Sequence, residues 1–419
     1  MTAHRPSSSP RATAQPAATP AARPPAPPAS CWSPFRIARL LACLAAAAYV
    51  IVRCFTLALT GDEWGLILDD IQKGLTQLLI QGHIDVQSTF LLVFLGLINM
   101  TLLTSNPIAA IRLPNALAFL LYLWAAWKIT ERVKSPALSF LGFVALCANA
   151  YMLDFFSIGR GYGLALGFQL LSLHCFLRAL EAARREAPAW RNWCIGSVWA
   201  ASVSVLAIVA FLDFYFALLG SCLLLTLFQA RRRNPDWRAA LPATLLDSLH
   251  LVYNAALLGI FYLPRVLILN LHHCFYAGES GGMIRSTIYS LVKLHFYLQP
   301  PPDNVIFLLT LIVWGSSILI AVALAFRRAR LATEPASEAG LYFSLMLAIM
   351  AVFHILLFQV TGTLFPVGRA ALCFFPLYVL QVICLGAAPN RLARLAAPLI
   401  LLASIAIGLF FDTLGVVGI

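Results

Sequence analysis

Val305-Ile-Phe-Leu-Leu-Thr-Leu-Ile-Val-Trp-Gly-Ser-Ser-Ile-Leu-Ile-Ala-Val-Ala-Leu-Ala-Phe326 carries no charged side chain and ends on the basic run Arg327-Arg328-Ala329-Arg330. A bilayer core about 30 Å thick needs roughly 20 helical residues at 1.5 Å rise, so this stretch is long enough to span one. Lipid offers backbone polar groups no water, and a helix satisfies them within its own segment. The alternation of apolar and polar residues that marks a barrel strand is missing here. Comparable segments begin at Arg39 (to about Leu59) and lie near 88–104, 112–128, 136–153, 161–178, 194–211, 214–230, 244–263, 340–359, 370–387 and 395–412. Hydrophobic residues make up 61% of the chain and charged residues 11%. A soluble domain of that composition could not cover its surface with polar groups, whereas lipid accepts apolar side chains pointing outward. The fold class is therefore all-α: a polytopic transmembrane bundle of about 11–12 hydrophobic segments with no separate soluble domain and no internal repeat.

Residues 1–37 read as a disordered tail, because the Pro, Ala, Ser and Arg that dominate residues 1–30 build no core. Residues 38–412 form the transmembrane domain. Its first segment resembles a signal sequence in its Arg36/Arg39 flank and alanine run. It is longer than a usual apolar signal region, and candidate functional residues follow it at once, so it reads as a retained helix. The positive-inside rule places the arginine-bearing, acid-free tail in the cytoplasm, together with Arg184/Arg185/Arg191, Arg231/Arg232/Arg233/Arg238, Arg327/Arg328/Arg330 and Arg391/Arg394. The external side then receives the 61–87 loop, the Ser157–Tyr162 turn, Asp213, the 264–304 loop and the Thr361–Arg369 turn. One conflict arises. Lys128/Arg132/Lys134 also belong inside, so 88–128 must cross an odd number of times. A partial or re-entrant helix over 88–104, interrupted by Asn99, resolves it and gives eleven crossings.

The formal charge of +12 does not point to nucleic acid, because the cations sit at segment ends and form no aromatic-interleaved patch. The ten cysteines show no CxxC spacing, and most fall inside spans, where a lone cysteine behaves as a small apolar residue. Neither a disulfide framework nor a zinc site is expected.

In a chain this poor in charge, the exceptions carry information. The 61–87 loop holds Asp62, Glu63, Asp69, Asp70 and Asp85 against Lys73. An acidic loop can serve only to fix orientation. A carboxylate at a helix end, half out of water, is equally well placed as a general base. Arg160 lies in Ser157-Ile-Gly-Arg-Gly-Tyr-Gly163, and Phe365-Pro-Val-Gly-Arg369 repeats the theme on the same side. Such turns anchor helices at membrane surfaces. They also let a backbone approach a ligand while arginine grips a phosphate with two nitrogens. His83 and Asp85 are close in sequence, and His272-His273 and Glu279 occur later, but none of these groups defines a metal geometry. Arg285, Lys293, His295 and Tyr297 suit interfacial anchoring or a grip on an anionic headgroup. Asp213 and Asp247 lie at segment ends and receive no role.

Taken in order, Thr60-Gly-Asp-Glu-Trp64, Gly82-His83, Arg112-Leu-Pro-Asn115, Arg160-Gly-Tyr162 and Gly368-Arg369 resemble the motifs of the polytopic GT-C glycosyltransferases. That class includes the protein O-mannosyltransferases and the lipid A aminoarabinose transferase. The resemblance covers roughly residues 38–390, and its specificity comes from the order and sidedness of short motifs. Two features depart from the family: its His-Pro-Pro-Leu stretch reads His83-Ile-Asp-Val here, and the large soluble C-terminal domain of some members is missing.

The resemblance implies a polyprenyl-phosphate-linked sugar as donor and a lipid, glycan or protein hydroxyl as acceptor. Asp62 maps to the catalytic base and Glu63 to its neighbour. Arg160, Tyr162 and Arg369 map to the donor phosphate, with His83, Asp85, Arg112, Arg285 and Lys293 as site lining. No cofactor is implied, and no metal is needed if arginines stabilise the charge. Composition and the lack of retention signals lean towards a bacterial inner membrane. A transporter or flippase would show internal repeats or charged residues at mid-membrane, which are not evident. An inactive GT-C-like scaffold is separable only by assay.

Overall fold

The computed structural model describes residues 34–61, 63, 90–102, 106–234, 236–271, 278–296, 300–330, 335–387 and 391–417. The tail, most of the acidic loop (Asp62, His83 and Asp85 included) and part of the 264–304 loop lie outside these residues.

Fourteen α-helices dominate the described chain, and their ends follow local chemistry. α1 (Pro34–Thr56) is followed by the short α2 (Phe90–Leu102) and by α3 (Pro107–Thr130). Asn106 caps α3 by accepting from the Ile108 and Ala109 amides, and Pro107 fills the first helical position, where no amide is needed. α2 has thirteen residues and is about 20 Å long, short of a bilayer core. Asn99 of α2 donates to the Ala110 carbonyl of α3 at 3.0 Å.

The segment expected to be continuous over 136–153 is broken. α4 (Pro136–Cys147) ends at Ala148, and α5 (Ala150–Ser157) starts under a new cap at a bend of 56°. Asn149 makes the break by adopting an extended backbone and accepting from the Met152 amide. Asn competes with a helix in this way wherever its side chain reaches a backbone amide two or three residues on.

α6 (Gly161–Arg184), α7 (Trp190–Ala207), α8 (Leu212–Arg233) and α9 (Trp237–Leu271) complete the first half. A strand pair β1 (Gly278–Glu279) and β2 (Phe365–Pro366) joins the 264–304 loop to the later turn, antiparallel, with Gly278 opposite Pro366. Between these strands run a π-helical turn (Met283–Ile288), α10 (Tyr289–His295), α11 (Asp303–Arg330) and α12 (Pro335–Thr361). The 3-10 turn Gly368–Ala371, α13 (Phe374–Gly386) and α14 (Arg391–Val417) follow. By length and composition seven described helices can cross a membrane, or eight if bent α4–α5 counts as one.

The bundle wears its apolar side chains outside. Phe55, Leu319, Phe326 and Val360 are more than half exposed, while Asn115, Gln169 and Gln381 are fully enclosed. Each of these three side chains makes a hydrogen bond to another element. Gln381 donates to Ser317 O and Ser344 Oγ, and Gln169 donates to Cys373 O. Lipid accepts the exposed residues, and the interior polar groups specify helix pairing where the hydrophobic effect cannot. α6 lies at the centre. A Cβ at Gly163 would meet the Phe155 carbonyl at 2.5 Å, and one at Gly167 the Ala118 carbonyl at 2.7 Å, so α6 rests directly on the backbones of α5 and α3.

One end of the bundle gathers the basic clusters and their few acids. Arg36 meets Glu131, Arg132 meets Glu181, Arg184 meets Glu338, and Arg191 and Arg233 share Asp247. The opposite end collects the motif residues.

Candidate active site

Arg112 closes the end of α1. A helix leaves its last carbonyls without intrahelical partners, and the Arg112 guanidinium, rising from α3, takes those of Cys54, Leu57 and Ala58 at 2.8, 3.0 and 3.2 Å. Its two remaining donors go to Glu63, Nε to Oε1 at 2.8 Å and Nη2 to Oε2 at 2.9 Å. All five N–H groups of the arginine are thereby used.

Glu63 is fully buried and equally saturated. Oε2 also accepts from the Thr60 amide and hydroxyl, and Oε1 from the Gly159 amide at 2.6 Å. Burial pushes its carboxyl up, but the Arg112 hydrogen bonds and the Thr60 and Gly159 amides outweigh that and hold it below the usual value. A carboxylate so enclosed has no lone pair left for an acceptor. Glu63, expected beside the reacting centre, bonds the chain after position 62 to the Gly159–Arg160 turn. Arg112, expected as site lining, is its partner.

Asn115, the last residue of the Arg-Leu-Pro-Asn motif, holds the same turn from the other side. Its amide nitrogen donates to the carbonyls of Ile158 and Arg160, both at 2.5 Å, and its oxygen accepts from the Leu164 amide. The motif thus fixes the Arg160 loop from one turn of α3, with Arg112 and Asn115 three residues apart on one helix face.

Arg160 and Arg369 come together on this frame. They arrive from turns far apart in the sequence, yet each feels the other's charge. Burial, and then the Arg369 charge, push Arg160 down to about 10, which leaves it a cation at neutral pH. The Arg369 guanidinium lies 6.0 Å from the centre of the Tyr162 ring, and Tyr151 of α5 is within its electrostatic reach. Tyr162 is buried and packs on Phe155 at 4.9 Å between centroids; it underlies Arg369. Two half-buried guanidiniums, one of them over the Tyr162 ring, form a site of concentrated positive charge, suited to an anion that accepts several hydrogen bonds.

Arg285 and Lys293 stand exposed on the π-helical turn and on α10, and the Lys293 ammonium lies 6.0 Å over the Tyr289 ring. They belong to the segment that docks on the Arg369 turn, where the Gly368 amide donates to Ser290 Oγ at 2.9 Å. Gly368 itself takes φ +61, a conformation that glycine reaches without strain.

Asp154 escaped the sequence reading. It accepts both Arg53 Nε and Nη2, with closest distances of 2.8 Å, and the Tyr49 hydroxyl at 3.3 Å, tying α1 to α5 one helical turn from Tyr151. An isolated acid directly after the apolar segment 136–153 was its only signal. Asp213, left without a role, meets His354 of α12 in a short buried contact. Among the described residues no three or more His, Cys, Asp or Glu side chains converge as metal ligands would.

No family model and no curated protein matches the chain. Solved structures do. ArnT from Cupriavidus metallidurans in the apo state aligns over 88% of this chain and 63% of its own, at 16% identity and TM-score 0.47. The same enzyme bound to undecaprenyl phosphate gives 17% identity and TM-score 0.45 over the same shares. The archaeal oligosaccharyltransferase AglB from Archaeoglobus fulgidus, in complex with an inhibitory peptide and a dolichol-phosphate, aligns over 90% of this chain and 56% of its own, at 13% identity and TM-score 0.46. The similarity is one of fold. The chain spans less than two thirds of the length of these structures.

Proposed function

We propose that the protein is a membrane glycosyltransferase that moves a sugar from a polyprenyl-phosphate donor to an acceptor hydroxyl at the external face. One observation carries this reading. Glu63, the residue after the expected base, accepts from the Gly159 amide, and Gly159 precedes Arg160, which shares its site with Arg369. The motif that would supply a base is bonded directly to the first of the two turns that would hold a phosphate.

The chemistry follows from the residues. Asp62 takes the proton of the acceptor hydroxyl as that oxygen attacks the anomeric carbon. The bond from that carbon to the phosphate oxygen breaks, and the lipid phosphate leaves with the electron pair. Arg160 and Arg369 stabilise the negative charge that grows on it, where burial makes each charge count for more than in water. A single displacement inverts the anomeric centre. Glu63 and Arg112 keep the base-bearing chain against the Arg160 turn and take no proton.

The test is sugar transfer by purified protein in lipid, with a panel of radiolabelled polyprenyl-phosphate sugars and crude membrane acceptors, wild type beside Asp62→Asn. Transfer by wild type alone is the expected result. A folded wild-type protein that consumes no donor would end the enzyme reading in favour of a transporter or an inactive scaffold.

A further inference from the structure

His295 lies half-buried between three elements and makes its hydrogen bonds as a neutral imidazole. Asn149 fixes which nitrogen carries the proton. Its Oδ1 caps α5 by accepting from the Met152 amide at 3.0 Å, so Nδ2 must be the atom that faces His295 Nδ1, also at 3.0 Å. An amide nitrogen only donates, and Nδ1 must therefore accept. The proton then resides on Nε2, which lies 2.6 Å from the Ser404 carbonyl of α14 and 3.1 Å from its hydroxyl. Phe375 of α13 closes the remaining side at 6.0 Å between ring centres. None of Asn149, Ser404 and Phe375 titrates. A second proton on Nδ1 would point at the Asn149 amide, which cannot turn away without uncapping α5.

What His295 holds is α10. One and a half turns earlier on that helix, Ser290 Oγ accepts from the Gly368 amide and donates to the Thr287 carbonyl. The segment before it pairs Gly278 and Glu279 with Pro366 and Phe365. The Arg369 turn is thus gripped by a strand pair on one side and by Ser290 on the other, and α10 is tied to α11 by the Tyr289 hydroxyl on Asp303 and to the α4–α5 break and α14 by the His295 imidazole.

We propose that His295, as a neutral imidazole, is a positioning residue for Arg369: it locks α10 against the α4–α5 break so that Ser290 fixes the arginine turn in its anion-binding place. This rests on the reading of Arg369 as a phosphate ligand. Burial pushes His295 below its usual value, so its hold is complete above about pH 6.5 and is lost as pH falls through the lowered value.

Two measurements on the intact protein in lipid nanodiscs test the proposal. The first is hydrogen exchange over residues 278–296, corrected for intrinsic rate. The second is affinity for undecaprenyl phosphate. Losing a buried hydrogen bond on both sides of the ring, His295→Ala should speed exchange and weaken lipid binding by about tenfold or more. His295→Gln, which can accept from Asn149 and donate to Ser404, should restore both. As pH falls through the lowered value of the imidazole, lipid affinity of wild type should fall more than that of the glutamine variant, the second ionisation of the lipid phosphate near about pH 6 being common to both. Unchanged exchange and affinity in the alanine variant would overturn the proposal, as would faster exchange with intact lipid affinity. If wild type itself binds no lipid, the phosphate reading fails, and with it the role assigned to His295; the exchange data then show only whether the brace exists.

Discussion

Glu63 Oε1 sits 2.6 Å from the Gly159 amide nitrogen, so the chain that follows the first helix is hydrogen-bonded to the turn that presents Arg160. This bond joins two motifs 96 residues apart, with α2, α3, α4 and α5 between them. It also occupies the Glu63 carboxylate, and on the reading proposed above the neighbouring Asp62 is the base.

Asp62→Asn should therefore abolish transfer while the protein still inserts and melts normally. Loss of a general base costs on the order of 10²–10⁴ in rate. Radiolabel transfer measured beside a thermal melt decides it, and wild-type activity in the variant would remove Asp62 from the mechanism.

Glu63→Gln should behave differently, because it leaves Arg112 buried without its counter-charge. Breaking one side of a buried pair costs about 3–5 kcal/mol, so the melting temperature should drop along with activity. The pH dependence has a defined sign. The Glu63 carboxyl is held below its usual value, so its contribution is complete above about pH 4.5 and disappears as pH falls through that lowered value. A melt of the glutamine variant should lack that acid limb.

Arg160→Ala and Arg369→Ala should each weaken donor use more than acceptor use. A charged hydrogen bond lost from a phosphate is worth about 1.5–3 kcal/mol, or roughly 10- to 100-fold in donor KM. Steady-state kinetics with each substrate varied in turn separates the two effects, and equal losses would indicate misfolding.

The spans were readable because lipid imposes a length and a composition on every helix that crosses it. Their polar connections were not. Asp154 meets Arg53, Asn115 meets the 158–160 turn, and His295 meets both Asn149 and Ser404, all across distances in sequence that no local pattern encodes. The bend at Asn149 was hidden for a related reason. Hydropathy averages over a window, and one asparagine that turns its side chain back on the backbone leaves the average unchanged. Of the candidate site, the two arginine turns could be found because Gly-Arg is conspicuous in an apolar chain. The enclosure of Glu63 could not, since an acid in an acidic loop looks like its neighbours until its own donors, Arg112, Thr60 and Gly159, are counted.

The buried Asp213–His354 contact yields a further prediction. His354→Leu should destabilise the protein by about 3–5 kcal/mol by stranding a carboxylate, and adding Asp213→Asn should recover much of that loss. Chemical denaturation of the two single variants and the double variant measures the coupling.

Sidedness is testable by cysteine labelling with an impermeant maleimide on intact cells. Lys73→Cys should react from outside and Asn234→Cys should not. Reversal of both would invert the topology and move the candidate site to the cytoplasm.

The backbone seating of α6 has a mechanical meaning. Where Gly163 and Gly167 lie directly on carbonyls, no layer of side chains exists that could repack, and the Arg160 side of the cleft behaves as a stator. Arg369 is mounted differently, on a two-residue strand pair and a few side-chain hydrogen bonds that water can replace. A bulky lipid carrier entering and leaving between the two arginines would displace the compliant arm and leave the anvil still. On the proposed reading, Arg160 would be the fixed reference for the reacting bond, and Arg369 would hold its place only as firmly as Ser290 and the strand pair allow.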